Sequence, residues 1–149
     1  MFTDARRKDT YGTYRARLQT FLHIPIDASD QDIHQLIESG FSADTVWRFC
    51  DAANLSPTNR DQIITVETLK TRLAHDQPLT SQESDRLYRF ARVTAMAESI
   101  FGSDEKAMQW LSKPKDRFSG KSPLSMLTTT QGASQVEEML IQLAEGFAF

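Results

Sequence analysis

The amino-acid sequence predicts an all-α protein, and three observations support that fold class. Apolar residues recur at steps of three and four along most of the chain, which is the spacing of one helix face. Serine or threonine precedes these segments and glycine often follows them, as at the ends of helices. No segment of useful length alternates β-branched and polar residues. With 149 residues, 40% of them hydrophobic, the chain is long enough to bury the core of one domain or of two small ones.

The first two predicted helices lie between residues 29 and 53. Ser29 is the expected cap of the first helix, Asp30 and Asp32 suit its positive end, and Gly40 ends it. Ser42 is the expected cap of the second helix. Its apolar face contains Val46, Phe49, Cys50 and Ala53.

The next two predicted helices are short and follow each other closely. Ser56 caps the first of them and Pro57 occupies its first position, where the missing N–H of proline costs nothing. Thr65 begins the following helix, whose expected buried side contains Leu69 and Leu73. Two short helices joined by a tight turn suggest a helix-turn-helix unit.

The second half of the chain begins with a capping box. Thr80 and Glu83 have the required spacing, and the helix that they start is expected to run for about 20 residues to Gly102. The stretch "HDQP" near Pro78 is therefore the expected boundary between two domains, 1–78 and 79–149. Three further helices are expected: one from Ser103 to before Pro114, one from Ser122 to a stop at Gly132, and one with Val136, Met139, Leu140 and Leu143 inside that ends at Gly146.

Composition limits the classes of partner and of compartment. The formal net charge of -3 provides no strong global attraction to nucleic acid or to anionic lipid, so any DNA contact must come from a local patch. A single cysteine, Cys50, excludes an internal disulfide framework and fits a reducing cytoplasm. No signal peptide or membrane-spanning segment is evident. We therefore expect a cytoplasmic protein without membrane contact.

The sequence lacks a recognisable catalytic or metal-binding pattern. The stretch "SGKS" imitates the end of a phosphate-binding loop, but Lys115 stands where that loop requires glycine. The three histidines, His23, His34 and His75, are not spaced as ligands. We predict no catalytic residue, no metal, no cofactor and no enzymatic activity.

Residues Leu79 to Gly146 resemble the toxin-binding domain of the Xre/MbcA/ParS antitoxins nearly end to end. The matching features are the "ESDRL" entry, the "FG" break at Phe101 and Gly102, "KAMQWL", Pro114, Gly120, "SPL", "LTT" before Gly132, and the final Gly146. The resemblance implies that a helix-turn-helix domain of the Xre or Cro type precedes this small helical toxin-binding domain. It also implies an antitoxin whose partner is a RES-domain toxin that consumes NAD.

The resemblance assigns the contacts with DNA to the second helix of the helix-turn-helix. The segment "SPTNRDQIITVETL" departs from the family pattern because it has Ile64 where a glycine is usual in the turn. Phosphate contacts are also expected from Arg6, Arg7, Lys8, Arg15 and Arg17. The predicted DNA-binding residues are Thr65, Glu67, Thr68, Lys70, Thr71 and Arg72.

The toxin is expected to bind the loop "KPKDRFSGK" and the aromatic residues beside it. This loop carries four cations against Asp116, and the final segment "FAF" is expected to occlude the NAD cleft of the toxin. Core packing of Trp110 and simple solvation of the loop charges are the alternatives. The predicted toxin-binding residues are Trp110, Lys113, Lys115, Arg117, Phe118, Lys121, Phe147 and Phe149.

Three functions remain open at this point. The first is an antitoxin that inhibits a RES toxin, represses its own operon by binding operator DNA, and assembles as a homodimer or a larger toxin–antitoxin complex. The second is a stand-alone helix-turn-helix transcriptional regulator whose C-terminal domain only dimerises. The third, a small helical enzyme, is disfavoured because no catalytic constellation is present.

Overall fold

The protein is an assembly of helices, as predicted. The structure is a computed structural model that describes residues 4–146, with side chains described from residue 8 onward. Two short 3-10 helices, Asp116–Phe118 and Leu124–Thr128, lie between the last two α-helices. The α-helices are α1 (Asp4–Leu22), α2 (Asp30–Ser39), α3 (Asp44–Ala53), α4 (Pro57–Ile63), α5 (Val66–Ala74), α6 (Ser81–Phe101), α7 (Asp104–Ser112) and α8 (Thr130–Ala144).

Most helices begin where the sequence predicts. At five predicted capping residues the hydroxyl accepts a hydrogen bond from the backbone N–H three residues later, which satisfies one donor that the helix leaves unpaired. At Ser29 and at Thr80 the acidic side chain in turn accepts from the backbone N–H of the cap, so both capping boxes are complete. The confirmed caps are Ser29, Ser56, Thr65, Thr80 and Ser103.

Helix α1 is an element that the sequence analysis did not identify. Its buried residues Leu18, Phe21 and Leu22 all lie near its C-terminal end, so the apolar spacing covers too little of the helix to be recognised. The ring of Phe21 meets that of Phe49 on α3 edge-on, with centroids 5.0 Å apart. Tertiary packing therefore stabilises this helix.

The expectation of one helix from Ser122 to a stop at Gly132 is wrong. The chain forms the 3-10 helix Leu124–Thr128, and Gly132 lies inside the first turn of α8, where its N–H donates to the Thr129 hydroxyl at 3.0 Å. A Cβ at Gly132 would stand 1.9 Å from the carbonyl oxygen of Met126. Glycine is needed here for close packing of two backbone segments and not for helix termination.

Two smaller expectations also differ from the structure. Ser42 does not cap α3, because its hydroxyl pairs with the hydroxyl of Thr45 at 2.8 Å and the helix begins after Ala43. Leu73 is 40% exposed, whereas Leu69 is fully buried. The short helix α5 thus has a narrower apolar side than expected.

Helix α6 is the central element of the fold. It packs against α1, α2, α3 and α4 on the N-terminal side of Pro78, and against α7, α8 and the second 3-10 helix on the other side. The core is continuous across Pro78, where the N–H of Leu79 donates to the carbonyl of Phe41 at 2.9 Å. The N–H of Phe41 donates to the hydroxyl of Ser84 at 3.0 Å. The division into domains 1–78 and 79–149 stays a prediction, and the two segments share one core.

Within residues 4–146, every helix is too short or too polar to cross a lipid bilayer. The same part of the chain contains no cluster of three or more histidine, cysteine, aspartate or glutamate side chains placed to hold a metal ion. Cys50 is buried, and burial raises the pKa of its thiol to about 11, so this cysteine is a core residue and not a reactive nucleophile.

Candidate functional site

The helix-turn-helix unit is formed by α4, a two-residue turn and α5. Ile63, Ile64 and Leu69 are buried and anchor both helices to the core. Ile64 has a φ of -159°, which is extended backbone that any residue adopts. This turn therefore requires no glycine, which explains the departure from the usual family pattern in physical terms.

The structure places most of the predicted DNA-binding residues on the outer side of α5. Thr65, Glu67, Lys70 and Thr71 are exposed, whereas Thr68 is half-buried. Two of the hydroxyls have internal partners, since Thr65 Oγ1 donates to Thr68 Oγ1 at 2.9 Å and Thr71 Oγ1 donates to the Glu67 carbonyl at 3.0 Å. Among the predicted residues of α5, Lys70 combines exposure with positive charge.

Arg72 differs from its neighbours because its guanidinium faces the protein. Its Nε and Nη2 donate to the two carboxylate oxygens of Glu83 at 3.2 and 3.1 Å. This hydrogen-bonded pairing raises the pKa of Arg72. Partial burial acts to raise the pKa of Glu83, but the hydrogen bonds from Arg72 and Thr80 outweigh it and lower that pKa. In this geometry Arg72 holds α5 against the start of α6 instead of projecting toward a ligand.

Two of the cations expected to contact phosphate form hydrogen bonds within the protein. Arg15 is buried, and its Nη2 donates to the carbonyls of Pro25 and Ala28 at 3.1 and 2.8 Å, so its guanidinium faces the protein, and its predicted phosphate contact stays a prediction. Arg17 Nε donates to Glu98 Oε1 at 2.6 Å. Lys8 is exposed. The side chains of Arg6 and Arg7 lie outside the described residues.

The segment of residues 113–121, which we call the basic loop, is closed by backbone hydrogen bonds. The N–H of Lys115 donates to the carbonyl of Lys121 at 3.1 Å, and the N–H of Gly120 donates to the carbonyl of Lys115 at 2.9 Å. Ser119 and Gly120 have φ values of 58° and 84°, which turn the chain back on itself. The loop is therefore a preformed feature of the surface.

Phe118 lies beneath the basic loop and not on its surface. Only 4% of this residue is exposed, and it belongs to the continuous core. The predicted contact of Phe118 with the toxin stays a prediction, and in this structure its side chain fills the space between the loop and the core. Its role is to fix the loop in place.

Two cations of the basic loop are held at defined positions, Lys115 by Trp110 and Arg117 by α8. Lys115 Nζ lies 5.0 Å from the centroid of the Trp110 ring, and Arg117 Nη1 donates to Gln142 Oε1 on α8 at 2.9 Å. Partial burial and then the charge of Lys113 lower the pKa of Lys115. Lys113, Arg117 and Lys121 are exposed.

Trp110 itself is half-buried, with its ring centroid 5.9 Å from that of Phe101. One part of the side chain thus packs on α6, and the rest supports Lys115. Phe147 and Phe149, the last two residues predicted to contact the toxin, lie outside the described residues.

A groove that the sequence analysis missed runs between α1, α6 and α8. It encloses about 400 Å³, and its walls are mostly apolar. Tyr11 is 61% exposed and Ile141 is 50% exposed, and both face this groove. No sequence signal reveals the groove, because it forms only where α1 meets two helices that are distant in the chain. The principal lining side chains are Tyr11, Tyr14, Met96, Ile100, Ile141 and Ala144.

The described residues form a helical protein with a helix-turn-helix unit. Residues 96–146 match the antitoxin Xre/MbcA/ParS C-terminal toxin-binding domain. The match begins inside α6, and it contains the last residues of that helix, the basic loop and all of α8.

Three curated relatives cover between 74% and 99% of the chain. An Antitoxin Xre of Pseudomonas putida is 54% identical over 147 residues, which are 99% of this chain and 92% of the relative. An Antitoxin Xre of Yersinia enterocolitica is 34% identical over 74% of this chain and 76% of the relative. A Prs ADP-ribosylating antitoxin of Sphingobium is 25% identical over 80% of this chain and 82% of the relative. The chain belongs to the Xre antitoxin family and is an antitoxin of a toxin–antitoxin system.

Proposed function

We propose that this antitoxin binds a RES-domain toxin that consumes NAD, blocks the active site of that toxin, and represses its own operon by binding operator DNA. The observation that carries the proposal is the preformed basic loop, which lies within the segment that matches the toxin-binding domain. A loop that is already ordered loses little conformational entropy when it binds, so its exposed cations are well suited to recognition.

The sequence resemblance and the chemistry named for one relative both support the proposed class of toxin. The sequence resembles antitoxins whose partners are RES-domain toxins. One of the relatives is named a Prs ADP-ribosylating antitoxin, and ADP-ribosylation is a reaction that uses NAD. We therefore place the antitoxin against a toxin with an NAD cleft. The antitoxin itself has no catalytic role and needs no cofactor in this proposal, and both proteins act in the cytoplasm.

The proposed toxin-binding face contains the exposed loop cations and the half-buried Trp110. The exposed side chains Lys113, Arg117 and Lys121 present positive charge toward the partner. The contact between Lys115 and the Trp110 ring holds a fourth cation of the loop in place. The tail with Phe147 and Phe149 is proposed to cover the NAD cleft. Deletion of residues 146–149 should therefore weaken inhibition of the toxin without unfolding the antitoxin.

Repression of the operon is assigned to α5. Lys70 is exposed on this helix, and Glu67 and Thr71 are exposed beside it. Because the chain has a formal net charge of -3, the affinity of one chain for DNA is expected to be modest and sensitive to salt. We propose that two helix-turn-helix units bind together, in a homodimer or in a larger toxin–antitoxin complex.

The direct test is co-expression of a tagged copy of this chain with the product of the neighbouring open reading frame. We expect an untagged toxin to purify with the wild-type chain in a fixed ratio. The double variant Lys113→Glu, Arg117→Glu should recover less toxin, whereas Lys70→Glu, a single charge reversal on α5, should recover as much as the wild type. Failure of the wild-type chain to recover any partner would favour a stand-alone transcriptional regulator with a C-terminal dimerisation domain.

A further inference from the structure

Exposed apolar side chains cluster at the groove between α1, α6 and α8. Among the described residues, five large hydrophobic side chains are substantially exposed, and two of them, Tyr11 and Ile141, line this groove. The hydroxyl of Ser99 in its wall donates to the carbonyl of Met96 at 2.7 Å. Because most of the accessible wall is apolar, an apolar occupant fits this groove best.

We propose that the groove receives an apolar segment of the toxin and acts as the hydrophobic anchor of the toxin-binding face. The inference rests on the proposed function, and it adds a contact site that includes the N-terminal helix α1. Burial of exposed apolar surface supplies most of the affinity in protein association, whereas exposed charges mainly guide the encounter. The basic loop alone lacks such an apolar surface, because Phe118 is buried beneath it.

The first argument for a toxin segment as the occupant is the position of the family match. The match to the toxin-binding domain begins at residue 96 and ends at residue 146. Met96 and Ile100 at its start form the α6 wall of the groove, and Ile141 and Ala144 near its end form the α8 wall. The two ends of the matched segment therefore meet at this groove.

The second argument is continuity with the basic loop. Arg117 of the loop donates to Gln142 on α8 at 2.9 Å, and Ile141, the preceding residue, faces the groove. Successive residues of a helix point about 100° apart, so the loop and the groove lie on neighbouring faces of α8. A single partner surface can contact both.

The third argument is the chemistry of the walls. Tyrosine supplies a large contact area at low entropic cost, and methionine adapts its shape to an apolar partner. A volume of about 400 Å³ accommodates a few apolar side chains and lies in the usual range of ligand sites. These properties suit a hydrophobic helix face or loop of a protein partner.

The test compares toxin binding by Ile141→Glu with that by Ile26→Glu, a matched control. Ile26 is 52% exposed and lies outside the groove. The toxin that purifies with the wild-type chain is used in isothermal titration calorimetry, and circular dichroism verifies that each variant folds. We expect Ile141→Glu to weaken binding about 10-fold or more, as at an interface anchor, and Ile26→Glu to leave it unchanged. The conservative variant Ile141→Leu should bind within about 2-fold of the wild type.

Three results would overturn the inference. If Ile141→Glu binds the toxin as tightly as Ile26→Glu does, the groove is not part of the toxin-binding face. If light scattering shows that Ile141→Glu abolishes self-association while toxin affinity is unchanged, a second copy of this chain occupies the groove instead. If the wild-type chain binds no toxin, the proposed function fails, and the inference fails with it.

Discussion

At the scale of single residues, Gly132 shows how a local sequence signal can indicate the wrong feature. Glycine is common after helices, so its position in the sequence suggested a helix end. The structure instead requires glycine because the backbone of α8 approaches the Met126 carbonyl too closely for a Cβ. Arg89 fixes that segment, since its Nε and Nη2 each donate to a backbone carbonyl, those of Leu127 and Thr128, at 3.2 Å.

We predict that Gly132→Ala destabilises the protein although alanine favours helices. The new Cβ would stand 1.9 Å from a backbone oxygen that cannot move without shifting the 3-10 helix. Such overpacking costs about 1–3 kcal/mol or more, which exceeds the gain of about 1 kcal/mol in helix propensity. Urea denaturation measures the change in the free energy of unfolding.

The matched control is Gly12→Ala on α1. A Cβ at Gly12 would have no neighbouring atom within 4 Å. This variant should therefore gain about 0.5–1 kcal/mol from helix propensity alone. Equal effects of the two substitutions would contradict the explanation based on close packing.

Glu98 is the buried carboxyl whose ionisation should influence stability near neutral pH. Burial raises its pKa from 4.5 to about 7, although the charge and hydrogen bond of Arg17 act in the opposite direction and Asp104 adds to the increase. The folded state therefore binds this proton more tightly than the unfolded state does. The contribution of the group to stability is fully present below pH 4.5 and is lost as the pH rises through about 7.

We predict that Glu98→Gln removes this part of the pH dependence. The difference in unfolding free energy between the wild type and the variant should shift in favour of the variant as the pH increases from 5 to 8, because only the wild type must ionise a buried group. Urea denaturation at several pH values provides the measurement. Parallel pH profiles would show that Glu98 does not titrate in this range.

At the scale of elements, capping residues were the most reliable sequence signal. Ser56, Thr65 and Thr80 each begin a helix in the structure, because a side-chain hydroxyl at that position satisfies a backbone donor locally. Helix α1 was not identified, and the second 3-10 helix was predicted as part of a longer helix, for the opposite reason. Their conformations depend on contacts with α6, such as the hydrogen bonds from Arg89, and local sequence does not encode such contacts.

Within α5, we predict that Arg72 and Lys70 have separable roles. Arg72→Ala should lower the thermal unfolding midpoint without DNA, because it removes both hydrogen bonds to Glu83. Lys70→Ala should leave that midpoint unchanged and should weaken binding to operator DNA. If Lys70 contacts a phosphate, the slope of log affinity against log salt concentration should fall by about 1 per chain.

Differential scanning fluorimetry and salt-dependent gel shifts measure the two effects. The assignment of α5 to DNA would fail if Lys70→Ala left both the affinity and the salt slope unchanged. The assignment of Arg72 to a structural role would fail if its substitution reduced DNA affinity and left the thermal midpoint unchanged.

At the scale of the whole molecule, the chain has one hydrophobic core that includes residues on both sides of Pro78. The sequence predicted a boundary there because local signals change at a proline, but the packing of α6 against both halves is a long-range property. Removal of residues 79–149 would expose the core of the remaining part. Point variants at the surface are therefore the appropriate tests of function.

We predict that association with the toxin depends on the charge of the basic loop. The double variant Lys113→Glu, Arg117→Glu should slow association about 10-fold or more at low salt, because it reverses an electrostatic attraction. The wild-type rate should fall toward that of the variant as ionic strength increases. Stopped-flow kinetics with Lys70→Glu as the control measures this effect. Equal rates for the two charge-reversal variants would mean that the loop charges do not guide the encounter.

The most direct test of the central claim is the rate at which the purified toxin consumes NAD as this chain is added. We predict that NAD consumption falls linearly and reaches its minimum at a fixed molar ratio, because a tight complex blocks the active site. Full toxin activity at a large excess of correctly folded antitoxin would contradict the proposal that this chain neutralises an NAD-consuming toxin.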